Sequence, residues 1–168
     1  MSLARRASAE FVGTGLLVAA VVGSGIAASR LAPHDTGLQL LENAIATALA
    51  VGALILTFGQ VSGAHFNPVV SAADWWLGRR ARTGLTAADL AGYAGAQIAG
   101  AIAGAVLADL MFGLPAVAWS HTHRNGGQLW LLGGLLAVGA IAWWYPEAAR
   151  TADVVVVPHP EQEKEALR

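Results

Sequence analysis

The chain has 168 residues, of which 55% are apolar and 12% charged, about half the charged share of an ordinary soluble domain. With a mean hydropathy of +0.53, this composition excludes global disorder, and a net charge of −1 gives no general attraction to nucleic acid. The lack of cysteine excludes disulfides, thiolate catalysis and Cys-based zinc sites.

A helix that crosses a bilayer needs roughly 20 apolar residues, at about 1.5 Å each, to traverse about 30 Å of hydrocarbon. Behind Arg5 and Arg6, Phe11 to Ser29 is 19 residues without a charge. That is longer than the roughly 7–15 apolar residues of a signal-peptide core, so a first span over 9–29 is the better reading. Next, Asn43 to Ala73 is 31 residues without a charge, about ten more than one crossing uses. A span over 40–60 leaves Ser62-Gly63-Ala64-His65-Phe66-Asn67-Pro68-Val69-Val70-Ser71 to be placed. Gly63 permits a tight turn. Asn67 is a good N-cap, and Pro68 suits the first helical position, where its missing N–H costs nothing. A half-helix is expected over 67–77, ending before Gly78-Arg79-Arg80 and carrying those arginines back to the side from which the chain came.

Non-helical backbone at membrane depth is tolerated only when it is buried in protein or lines a water-filled cavity. A half-helix that starts there directs its positive dipole end and free N–H groups at that cavity. Such an end repels cations and orients a polar neutral solute, and Asn67 adds an amide donor at the same level. The chemistry implied is permeation, with hydrogen-bonding groups replacing lost hydration.

Leu90 to Ala108 gives a third span over 88–111, with Asp89 and Asp109 at its two interfaces. Gly100 and Gly104 form a GxxxG pair, extended by Ala96, that lets a neighbour approach closely. Packing within the chain is favoured over a dimer seam. Asn125 to Pro146 holds a last window, with a span over 129–145 flanked by Trp130, Trp143, Trp144 and Tyr145 as interface anchors. Residues 147–168 form a polar tail, broken at Pro158-His159-Pro160. The fold class is therefore an all-α membrane protein of about four transmembrane helices plus one re-entrant half-helix. A helical bundle in water would need more polar surface. Eight of the ten basic residues fall on one side of this arrangement, with Arg30 and Arg124 on the other. The positive-inside rule then puts both termini in the cytoplasm.

The string Ser62 to Val70 resembles the first Asn-Pro-Ala box of the aquaporin/glycerol-facilitator (major intrinsic protein) family. Ala9-Glu10-Phe11-Val12-Gly13-Thr14 resembles that family's first-span motif, and Gln97-Ile98-Ala99-Gly100-Ala101 its third-span motif, all in the expected order. Val69 departs from the usual alanine. The resemblance implies an incomplete aquaporin-like inverted-repeat fold in the cell membrane. It implies passive passage of water or small neutral solutes (glycerol-like, or a metalloid hydroxide) and a possible homo-tetramer. It makes Asn67 the donor to the solute, Pro68 and Val69 the contact to an opposite half-helix, and His65 a group presenting its carbonyl or ring to the pore. Thr47, 20 residues before Asn67, becomes a contributor to the outer constriction. Glu10 would hold the re-entrant loop by accepting backbone N–H bonds, and Gln97 by its amide.

The family carries a second Asn-Pro-Ala box, yet no Asn-Pro follows Asn67-Pro68 here. Residues 1–128 resemble the first repeat with its outer loop, and 129–146 resemble the sixth span more than the fourth. That pattern favours an internal deletion of the fourth and fifth spans together with the second half-helix over a simple truncation. One chain would supply one half-helix end, so a non-conducting remnant or structural membrane subunit is the alternative to a channel. No cofactor is expected. Glu10 reads as a structural acceptor in preference to a proton relay, and His121 and His123 as a solvated loop in preference to a metal site. Gly13-Thr14-Gly15 lacks the third glycine of a dinucleotide loop. No paired carboxylates, activated nucleophile or metal cluster assembles from these positions, so an enzyme is not expected.

Overall fold

The structure is a computed structural model that describes residues 1–79 and 83–117. The window at 129–146, the tail at 147–168 and the His121–His123 pair lie outside the described residues.

Four helices make up the described chain: α1 (Leu3–Leu31), α2 (Thr36–Ser62), α3 (Pro68–Gly78) and α4 (Ala87–Met111). Three of them, α1, α2 and α4, are long and apolar enough to cross a membrane. At about 1.5 Å per residue they run about 44, 40 and 38 Å, against about 16 Å for α3. The three long helices outrun the expected spans because polar flanks cap them. Ser2 accepts from Arg5 N–H, Asp35 from Leu38 N–H, and Thr86 forms a capping box with Asp89. An uncharged window marks the hydrocarbon, whereas a cap marks where the backbone turns.

The side-chain ties fix the directions. Arg6 pairs with Asp89, so the starts of α1 and α4 lie together. At the other end Arg30 Nη2 donates to the Phe112 carbonyl at 2.8 Å. α1 and α4 are therefore parallel neighbours. α2 returns antiparallel after a four-residue turn and is pinned to α1 where Asn43 Nδ2 donates to the Val21 carbonyl (2.8 Å) and to Ser24 Oγ (2.9 Å).

Glycines set the α1–α4 separation. A Cβ on Gly100 would overlap the Phe11 carbonyl, and one on Gly104 the Gly15 carbonyl. The GxxxG pair thus packs within the chain, where the absent side chains let two backbones touch. The buried residues of α4 (Tyr93, Gln97, Gly100, Gly104, Ala108) recur every three or four positions and make one stripe facing α1 and α3. Outward, the long helices show apolar surface: Leu40, Leu49, Leu56, Ile102 and Leu110 are all exposed. That pattern suits lipid as the solvent.

Candidate functional site: a re-entrant turn held by a buried carboxylate

α2 stops at Ser62 because Gly63, at φ 90°, takes the left-handed conformation of a helix C-cap and returns its N–H to the Gly59 carbonyl at 2.9 Å. Two further left-handed residues follow that are not glycine, Ala64 (φ 53°) and Phe66 (φ 51°). Each costs about 1–2 kcal/mol relative to ordinary backbone, so the turn persists only where its surroundings over-determine it.

Glu10 does that. It is fully buried, and four donors converge on its carboxylate. Oε1 accepts from Ser62 Oγ (2.5 Å) and His65 N–H (3.1 Å). Oε2 accepts from Phe66 N–H (2.7 Å) and Gln97 Nε2 (2.7 Å). From the side of α4, Tyr93 Oη donates to the Ser62 carbonyl at 2.6 Å. The Phe66 ring lies against Gly13, where any Cβ would collide with it, and meets Phe58 edge-on at 6.1 Å.

Asn67 then starts α3. Its φ of −154° is extended, its Oδ1 accepts from Val69 N–H at 2.8 Å, and Pro68 follows as the first helical residue. Ser71, one turn on, accepts from Gln97 Nε2 at 3.0 Å and sits 3.0 Å from His65 Nδ1. Gln97 is ten residues into α4, so Ser71 lies about 15 Å from that helix's start. Asn67, four residues earlier, comes level with the middle of α4, about 20 Å in.

The residues named from the sequence separate into three groups. Glu10, His65 and Gln97 come together under the turn. Asn67, Pro68 and Val69 sit at the tip of α3, with Asn67 and Val69 exposed. Thr47 stands half-buried on α2, 15 residues before Ser62 and about 22 Å along the helix from it, so it is not brought to the turn. Two details differ from expectation. Gln97 makes no bond to the loop backbone and acts through Glu10 and Ser71. The His65 ring turns to Ser71 and to the edge of Tyr93, at 5.6 Å, away from the tip. Sequence reasoning missed Ser62, Ser71 and Tyr93. Tyr93 had a signal: it stands four residues before Gln97, on the same helical face.

The family model described as "Major intrinsic protein" matches residues 1–130. The chain belongs to the major intrinsic protein family. Among curated relatives, the aquaglyceroporin AqpS of Rhizobium meliloti (strain 1021) is 50% identical over 140 residues, covering 83% of this chain and 58% of the relative. Aquaporin Z of Brucella melitensis biotype 1 is 41% identical over 100 residues, covering 60% of this chain and 41% of the relative. The propanediol uptake facilitator PduF of Citrobacter freundii is 32% identical over 127 residues, covering 73% of this chain and 43% of the relative. The chain thus spans about half the length of the curated relatives it matches. Membership makes it an integral membrane protein of a channel family, not an enzyme.

Proposed function

We propose that the tip of α3 and the turn before it form the solute-contacting half of a passive channel for water or small neutral solutes. The observation that carries the reading is the buried Glu10 carboxylate, which accepts from the His65 and Phe66 N–H groups and so holds the left-handed turn from which α3 starts, level with the middle of α4. Asn67 caps α3 with its oxygen, which leaves the amide NH2 to donate to a passing solute. The N-terminal dipole end of α3 adds a positive field that disfavours cations. Pro68 and Val69 shape the contact with whatever faces the tip, the His65 carbonyl supplies an acceptor beside it, and Thr47 contributes to the mouth on the opposite side. Glu10 and Gln97 support the turn. The names of the relatives, which include an aquaglyceroporin and a propanediol uptake facilitator, favour solutes as small as water up to short polyols.

The arrangement fits a cell membrane with the termini in the cytoplasm and a parallel homo-tetramer as the assembly. A second reading is a non-conducting remnant or structural subunit. It is favoured by one observation: α3 is the one helix of half-span length among the described residues. Stopped-flow swelling of proteoliposomes containing the full chain separates the two. The channel reading expects permeability above empty liposomes and a several-fold loss on Asn67→Ala with insertion unchanged. Permeability equal to empty liposomes, with insertion verified, selects the remnant.

A further inference from the structure

The far end of α3 carries a cluster that permeation does not use. Trp75 and Trp76 sit edge to face, with centroids 6.3 Å apart. The Arg79 guanidinium lies 3.7 Å from the Trp76 ring centre and 5.6 Å from that of Trp75. Trp76 is 55% exposed and Arg79 is exposed. The one acidic residue of α3, Asp74, directs Oδ2 to Leu85 N–H at 2.8 Å in the loop towards α4. Arg79 has no carboxylate partner among the described residues. A guanidinium stacked on an indole keeps its in-plane N–H edge for a second ligand, and that fork matches phosphate.

Depth gives this edge its surroundings. With Asn67 level with the middle of α4, Trp76 lies about 13 Å and Arg79 about 18 Å further along α3. Half the hydrocarbon thickness is about 15 Å. The two indoles therefore end where aromatic belts lie, and the guanidinium reaches headgroup level. The C-terminal carbonyls of α3 alone would repel an anion. Arg79 carries a full positive charge against their partial negative one; Arg80 and Arg82 come next in the sequence, and Arg5 is exposed at the start of α1.

We infer that the Trp75–Trp76–Arg79 cluster binds the phosphate of an anionic phospholipid from the leaflet on the arginine-rich side, with the indoles against the acyl-chain boundary and the guanidinium on the headgroup. The inference does not depend on whether the chain conducts. The test uses the full chain purified in a non-ionic detergent and titrated with phosphatidylglycerol or phosphatidylcholine, with bound lipid counted by native mass spectrometry. The expected result is a preference for phosphatidylglycerol that falls about fivefold on Arg79→Ala, the effect of one basic residue near an anionic surface. Trp76→Leu should lower it as well and Arg5→Ala less, while inorganic phosphate should not compete. Equal binding of the two lipids overturns the inference. So does an unchanged preference in both Arg79→Ala and Trp76→Leu, or an equal loss in Arg5→Ala, which would mean diffuse charge. Displacement of the lipid by inorganic phosphate would reassign the cluster to the free anion.

Discussion

Replacing Glu10 by glutamine changes one atom of the side chain and tests the support of the turn directly. The carboxylate offers two acceptor oxygens, each taking two donors; the amide offers one oxygen and two N–H donors. If the nitrogen takes the Oε1 place, the Ser62 hydroxyl can rotate to accept from it, but His65 N–H is left facing a donor. If it takes the Oε2 place, Gln97 can flip and present its own Oε1, which is buried without a hydrogen-bond partner. Phe66 N–H is then the group left over. Either way one backbone donor is stranded in a buried site, at about 1–3 kcal/mol. Glu10→Ala strands two, about 2–6 kcal/mol, out of a total stability of about 5–15 kcal/mol. The assay is thermal unfolding of the purified chain in detergent, together with hydrogen exchange of the peptide covering residues 60–70. Glu10→Gln should lower Tm by roughly 5 °C and speed exchange at His65 and Phe66. Glu10→Ala should yield little folded protein. A Glu10→Gln variant with the parent Tm and unchanged exchange across the turn would refute the reasoning.

Two further predictions concern the frame around the turn. Gly104→Val places a side chain where the Gly15 carbonyl lies and should cost about 1–3 kcal/mol or more by forcing α1 and α4 apart. Gly95→Val meets nothing within 4 Å and should be near neutral, so equal Tm losses in the two would argue against the α1–α4 contact. Asp89→Asn leaves the Arg6 guanidinium, whose side chain is 10% exposed, without its counter-charge and should cost about 3 kcal/mol. A double-mutant cycle with Arg6→Met should return a coupling above about 0.5 kcal/mol, and a coupling of zero would mean that the pair contributes nothing.

What the sequence made legible follows from which signals are local. The half-helix was readable because three local facts coincided: an uncharged run too long for one crossing, a glycine able to turn the chain, and an Asn-Pro pair suited to start a helix. The structure starts α3 at Pro68 under an Asn67 cap and ends it at Gly78. The parallel pairing of α1 with α4 was not readable. A GxxxG pair announces a close approach without naming the partner, and the partner groups are the backbone carbonyls of Phe11 and Gly15, which no side-chain pattern advertises. The His65 ring faced the same difficulty. Its direction is set by Ser71 and Tyr93, which reach it from two different helices, and Ser71 was hidden in an otherwise apolar run.

The same geometry bears on two roles that a carboxylate on a spanning helix can have. An ionisable residue there is costly and by default suggests a relay or a transport pathway. A relay carboxylate must exchange its proton with water or a neighbouring relay group, which requires an open approach or a free lone pair. Glu10 has no solvent exposure, and its two oxygens already take four donors, two of them backbone N–H groups that cannot move away without unmaking the turn. Those two N–H groups explain why a carboxylate is tolerated at this depth. The left-handed turn through Ala64 and Phe66 directs the His65 and Phe66 N–H groups at Glu10 and away from helix carbonyls, and an unmet donor in a buried site costs about 1–3 kcal/mol. An acceptor on a separate, rigid helix removes that cost and fixes the turn's position relative to α1. The Glu10 carboxylate therefore belongs to the shape of the loop, since all four of its donors come from the turn or from the helix beside it.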